Sequence, residues 1–207
     1  MLIVMLYLRK YYRLAYWKIV ITAVLLTVSG TIGTMLLFWI ESGNWGGTSF
    51  YGAIFFVPVI MTVVAIILKI PAGAMLDLCA PAECIMLALM KLRCLYWGCC
   101  AGRVMFTLQD VPIRFPSQIV ELVTIVCVMM ALLQFIKKSR YIDQIYAWYL
   151  ILYGATRFVL NLLRDTKPFV WILPAGNFWS LISITIGILV LCLWKWYGKD
   201  TAHECNE

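Results

Sequence analysis

From Ile19 to Ile40 the chain carries no charged side chain, and from Tyr51 to Leu68 it carries none again. A helix of about 20 apolar residues matches the hydrocarbon thickness of a bilayer, so each run has the length of a membrane span. Inside lipid every backbone polar group must bond within the chain, which leaves helices as the expected form. Composition agrees: 64% of the residues are hydrophobic and 13% charged, with a mean hydropathy of +0.91. That is more apolar surface than a soluble core can hide. The expected fold class is therefore all-α, a polytopic membrane protein.

Six spans are expected along the chain. The first covers about 19–40 and the second about 51–68, with Pro58 inside it and Lys69 and Pro71 at its end. The third, about 74–97, differs in kind because it contains Asp77, Pro81, Glu83, Lys91 and Arg93. Ionisable residues are costly in hydrocarbon and normally face a bundle interior or a wet cavity. The fourth begins after Pro116 and stops before Lys137, the fifth covers about 141–163, and the sixth about 177–196. Residues 1–18 place their apolar stretch before Arg9, Lys10, Arg13 and Lys18, the reverse of a signal peptide. They are read as an interfacial segment, 19–197 as the membrane domain and 198–207 as a polar cytoplasmic tail.

The formal net charge of +7 would suggest nucleic acid in a soluble protein. Here Lys and Arg lie mostly at the ends of apolar runs, where they set orientation, so nucleic acid is not an expected partner. With both termini in the cytoplasm, ten of the 17 basic residues fall at inner ends: Arg9, Lys10, Arg13, Lys18, Lys69, Lys137, Lys138, Arg140, Lys195 and Lys199. The other seven, Lys91, Arg93, Arg103, Arg114, Arg157, Arg164 and Lys167, fall at outer helix ends or in outer loops, several of them within helices. The outer group calls for a function of its own.

Arg157, Asn161 and Arg164 are spaced i, i+4, i+7 and so form one stripe. Guanidinium groups grip phosphate oxygens two at a time, which makes this stripe a candidate lipid-headgroup clamp. Asp77, Cys84 and Lys91 share a face of the third span, yet Asp77 and Lys91 stand about 21 Å apart along it, so each needs its own partner. Gln118 and Glu121, at the start of the fourth span, are candidates for that role. In GGTSFYGA, residues 46–53, Gly46, Gly47 and Ser49 precede Tyr51 at an outer helix start, where backbone can approach a ligand and amides can hold phosphate. Cys99 and Cys100 lie in an outer loop, where thiols serve as nucleophiles, as a labile disulfide or in no chemical role. The single histidine, His203, is in the tail, so neither a histidine base in the membrane nor a metal site is expected.

These fragments occur in a characteristic order: GGTSFYGA, then Asp77 with Ala80 and Pro81, CLYWGCCAG at 94–102, RFPSQIVE at 114–121, YGATRFVLNLLRD at 153–165 and GNFWS at 176–180. From about residue 43 to 190 the chain resembles the prolipoprotein diacylglyceryl transferases. The resemblance implies a multi-pass protein of the bacterial cytoplasmic membrane, active on its outer face. It would move the diacylglyceryl group of phosphatidylglycerol to a cysteine thiol of a secreted precursor, without cofactor or metal. It matches Arg157 to the family's essential arginine and Tyr51 to a position held by His or Tyr. Gly98, Arg114, Pro116, Gln118 and Glu121 fit the pattern directly. Lys91 stands where the family usually has Arg, Cys94 where many members have Asn, Cys99 where many have Glu, and Asn161 where the typical enzyme has Glu.

On this reading Arg157, Tyr51 and Glu121 are the catalytic residues. Lys91, Arg114, Gly46, Gly47, Ser49, Gly98, Gln118, Asn161 and Arg164 bind lipid, and Cys99 and Cys100 are possible thiols. Two alternatives stay open: a lipid transferase with another acceptor or a phospholipid-binding accessory protein, and a small transporter lined by Asp77, Lys91 and Arg157. Asp77, near the inner end of its span, is the residue that favours transport.

Overall fold

A computed structural model describes residues 1–98, 102–108, 111–138, 141–164, 168–170 and 173–204. A short helix α1 (Leu2–Tyr12) leads into α2 (Tyr16–Ser42), α3 (Phe50–Leu68) and α4 (Ala72–Tyr96). A hairpin of β1 (Val104–Leu108) and β2 (Val111–Arg114) precedes α5 (Ser117–Lys137) and α6 (Ile145–Leu162). A second small pair, β3 (Pro168–Val170) and β4 (Leu173–Pro174), precedes α7 (Ala175–Glu204). The protein is thus an all-α membrane protein with two minor antiparallel hairpins. Among the described residues α2, α3, α4, α5 and α7 are long and apolar enough to cross a bilayer. Helix α6, 18 residues long, carries Arg157 and Asn161 within it.

Helix α4 is the centre of the bundle. Its apolar window is 61% buried, against 22% for that of α7, whose Ile188, Leu189, Leu193 and Trp194 face outward. It touches α1, α3, α5 and α6, while α2 pairs with α3 and α6 with α7. Lipid is as apolar as leucine, so close packing has to come from small residues that let backbones meet. At the α2–α3 crossing a Cβ on Gly52 would collide with the Gly33 carbonyl oxygen. Gly52, the last glycine of the GGTSFYGA stretch, is thus a helix–helix contact. Helix α1 lies along the bundle, with Met5 and Leu8 completely buried and Met1 Sδ 4.0 Å from Thr27 Oγ1.

One end of the bundle is tied by polar groups meeting exposed helix termini. Lys18 Nζ donates to the Leu68 carbonyl at 2.7 Å, placing a cation at the C-terminus of α3. Asp77, fully buried, accepts the backbone N–H of Asp143 at 2.6 Å and that of Ile145 at 2.8 Å, so α4 caps the start of α6. Tyr12 Oη donates to the same carboxylate at 3.2 Å. Burial, and then the charge of Asp77, push the Tyr12 hydroxyl up, which keeps it a donor. Three helices meet at Asp77, and its charge is used in capping.

Two substitutions follow from this packing. Asp77→Ala leaves two amide N–H groups unsatisfied and is expected to cost roughly 2–6 kcal/mol, whereas Tyr12→Phe loses one charge-assisted bond, about 1.5–3 kcal/mol. Thermal unfolding of the purified protein in detergent measures both; equal losses would contradict the capping role. Gly52→Ala overpacks the α2–α3 crossing and is expected to lower stability by about 1–3 kcal/mol in the same assay.

Candidate functional site

At the other end of the bundle α4, α5 and α6 bring four charged side chains together. Glu121 sits one turn into α5, 3% exposed, on the face turned toward α4 and α6. Its Oε2 meets Lys91 Nζ from α4, and its Oε1 meets Arg157 Nη1 from α6. Arg164 Nη1, just past the end of α6, approaches the same Oε1 at 3.3 Å. Sequence spacing put Arg157 and Arg164 on one stripe, and α6 runs beside α5 so that both reach one carboxylate. Three cations around one anion leave two positive charges in excess within a largely buried setting. Such a cluster is held together by Glu121 and remains able to attract a further anion.

Between these side chains is a cavity of about 10 Å³, lined by Lys91, Glu121, Thr124, Tyr153, Thr156 and Arg157. It holds no more than a single water, so a bound anion must take the cations over from the carboxylate rather than fill free space. Tyr153 is one turn before Arg157 on α6, and its ring packs 5.7 Å from that of Tyr51. Tyr51, 4% exposed, has its hydroxyl 2.6 Å from Ser180 Oγ of α7, and Ser180 donates on to the Gly176 carbonyl at 2.6 Å. Tyr51 therefore reaches the region of Arg157 through Tyr153.

The remaining sequence candidates fall in several places. Asn161 is 3% exposed and faces the start of α7, where a Cβ on Gly176 would collide with its Nδ2. Although on the stripe by spacing, it is turned from the cation cluster toward α7. Ser49 donates to Glu41 Oε1 at 3.0 Å. Gly46 and Gly47 line a wider, open cavity of about 490 Å³ with Arg93, Cys94 and Trp97 on another face of α4 from Lys91. Gly98 takes a left-handed φ of +64° just after α4, a conformation glycine adopts without strain. Arg114 is exposed at the end of β2, opposite Val104. The hairpin is moored to α6 by Arg103 N–H donating to the Leu163 carbonyl at 3.1 Å. Gln118 is half-buried in the first turn of α5. Cys99 and Cys100 lie outside the described residues.

Sequence reasoning passed over Tyr153, Thr124, Thr156 and Ser180. Tyr153 could have been found, because it precedes Arg157 by one turn on the same stripe. Ser180 needed the fold, since nothing in the spacing of α7 points it toward a tyrosine 129 residues away.

A family model described as prolipoprotein diacylglyceryl transferase matches residues 2–193. A curated protein of Clostridium tetani, a phosphatidylglycerol–prolipoprotein diacylglyceryl transferase, is 30% identical over 128 residues, 56% of this chain and 51% of its own length. The chain thus spans about half the length of the curated relative it matches. Since the family model runs from the first turn of α1 through most of α7, taking in every element that builds the cation cluster, the chain belongs to the prolipoprotein diacylglyceryl transferase family.

Proposed function

We propose that this protein transfers the diacylglyceryl group of phosphatidylglycerol to the cysteine thiol of a secreted precursor. The observation that carries the proposal is the gathering of Lys91, Arg157 and Arg164 on the single carboxylate of Glu121. A lipid phosphodiester entering there would share the three cations. The thiolate attacks the glyceryl carbon bonded to the phosphate oxygen; a C–S bond forms, the C–O bond breaks and glycerol phosphate leaves. Charge builds on the departing phosphate, where fixed cations stabilise it more than they stabilise the bound lipid. As the phosphate takes over the cations, Glu121 is freed to accept the thiol proton, and Tyr51, hydrogen-bonded to Ser180, orients the reacting group.

Lys91 and Arg164 bind the phosphate in this scheme, Arg114 and Gln118 at the mouth meet the rest of the headgroup, and Gly98 turns the chain after α4, while Gly46, Gly47 and Ser49 stand apart from the cation cluster and take no part in it. Asn161 supports the clamp from the α7 side, and Cys99 and Cys100 are candidate thiols of the loop. Helix α6 is the fifth of six spans along the chain; 18 residues give about 27 Å of helix. Lys18, Lys69 and Lys137 mark the cytoplasmic side of the bacterial membrane, and the cation cluster opens outward. Transport loses its main support, because Asp77 is occupied by helix capping.

The decisive assay is incubation of the purified protein with labelled phosphatidylglycerol and a lipobox peptide, followed by mass analysis of the peptide. Diacylglyceryl addition is expected in the native protein. Arg157→Lys is expected to abolish it while the protein stays folded, because lysine keeps the charge and loses the two-pronged grip. Near-native transfer by Arg157→Lys would remove the clamp, and lipid binding without transfer would leave an accessory protein. Glu121→Gln leaves three buried cations without their counter-charge and is expected to cost about 3–5 kcal/mol in thermal unfolding. For orientation, in a variant whose native cysteines are replaced by serine, a membrane-impermeant thiol reagent applied to intact cells is expected to label a cysteine placed at Asn44 and to miss one placed at Lys69; the opposite pattern would invert the topology.

A further inference from the structure

Glu83 of α4 lies in the middle of the bundle, 2% exposed, and the proposed chemistry does not use it. It faces Tyr146 of α6, whose hydroxyl is 3.1 Å from one carboxyl oxygen and 3.5 Å from the other. The same hydroxyl is 2.9 Å from the Ile54 carbonyl oxygen of α3. That carbonyl is available for a definite reason. Its helical partner would be the N–H four residues on, and position 58 is a proline, which has none. Tyr146 thus supplies from a neighbouring helix the donor that Pro58 removes.

The hydrogens can be counted. A phenol has one, a carbonyl oxygen only accepts, and an ionised carboxylate only accepts. One hydrogen cannot serve Ile54 and an ionised Glu83 together. If Tyr146 turned to Glu83, the Ile54 carbonyl would be orphaned inside the membrane, and if it turned to Ile54, an ionised Glu83 would lose this donor. The groups that face Glu83 offer no countercharge. They are Tyr146 and Tyr149 on α6, Cys79 and Cys84 on α4 itself, and Ile54 on α3. On its open side is an apolar groove of about 60 Å³ lined by Leu26, Thr34, Val57 and Met86. No Lys or Arg is among these described neighbours. If Glu83 keeps its proton, both contacts are satisfied: its O–H donates to Tyr146, and Tyr146 donates to the Ile54 carbonyl.

We infer that Glu83 is held in the membrane as a neutral carboxylic acid, the first donor in a chain from Glu83 to Tyr146 to the Ile54 carbonyl that joins α4, α6 and α3. The joint is well placed to set the height of the proposed site. Ile54 is about one turn from Tyr51, Glu83 about two turns from Lys91 and Tyr146 about three turns from Arg157. The inference rests on hydrogen-bond geometry and does not depend on the transfer reaction.

Two measurements on the full chain in lipid nanodiscs test it. Infrared difference spectroscopy of the native protein against Glu83→Gln at neutral pH is expected to show loss of a carboxylic-acid C=O band. Glutamine keeps a donor for Tyr146, so this variant is expected to fold. A difference confined to carboxylate stretches would overturn the inference. The second measurement is thermal unfolding of Tyr146→Phe in the native and Pro58→Ala backgrounds. An alanine N–H at position 58 can bond the Ile54 carbonyl itself, so the drop in Tm caused by Tyr146→Phe is expected to be smaller there. An equal drop in both backgrounds would break the link between Pro58 and Tyr146.

Discussion

The proposed site depends on one carboxylate. Glu121 stands where α4, α5 and α6 converge, and three basic side chains from two of those helices and the segment after α6 close on it. In hydrocarbon, unpaired lysine and arginine would push these helices apart, so the anion makes their approach possible. It does not neutralise them fully, and the residual positive charge is what the proposed lipid phosphate would meet. Structure and proposed chemistry thus share the same four side chains.

The rest of the bundle follows a related constraint: inside a bilayer each polar group must find its partner within the protein. Asp77 meets the exposed N–H groups at the start of α6, and Lys18 meets the last carbonyl of α3. Tyr146 meets the carbonyl that Pro58 leaves open. Where no polar partner is at hand, the helices approach through glycine, as at Gly33 and Gly52. Charged and polar residues in the spans therefore mark contacts between helices more often than a path through them. Asp77, taken alone, resembled a transport residue, and its three donors show why it is not needed as one.

Much of the fold was legible in advance because a bilayer imposes lengths on sequence. The charge-free run at 19–40 lies within α2 at Tyr16–Ser42, and the run at 51–68 nearly coincides with α3 at Phe50–Leu68. Helix α5 begins after Pro116, as expected of a residue that ends one backbone course and starts another. The family was legible too, since its motifs are short stretches in a fixed order and do not depend on three-dimensional contact. The packing of α1 was harder to read. Its apolar side was plain, but an apolar side fits a membrane surface as well as a helix groove, and the burial of Met5 and Leu8 appears only with α2 and α4 in place.

The sequence by itself determined the membrane class, the apolar runs that become α2 and α3, the stripe of Arg157, Asn161 and Arg164, and the family, because hydropathy, helical period and motif order are all local properties. Tertiary structure decided which partner each polar residue took. It turned Arg157 and Arg164 onto Glu121 and Asn161 toward Gly176, although the three share a stripe. It gave Asp77 to the start of α6 and Lys91 to α5, although they share a face of α4. It also put Ser49 beside Glu41, with Gly46 and Gly47 along a different cavity from that of the cations. The reason is geometric: a helical period tells which way a side chain points, while the neighbour it meets depends on helices distant in sequence.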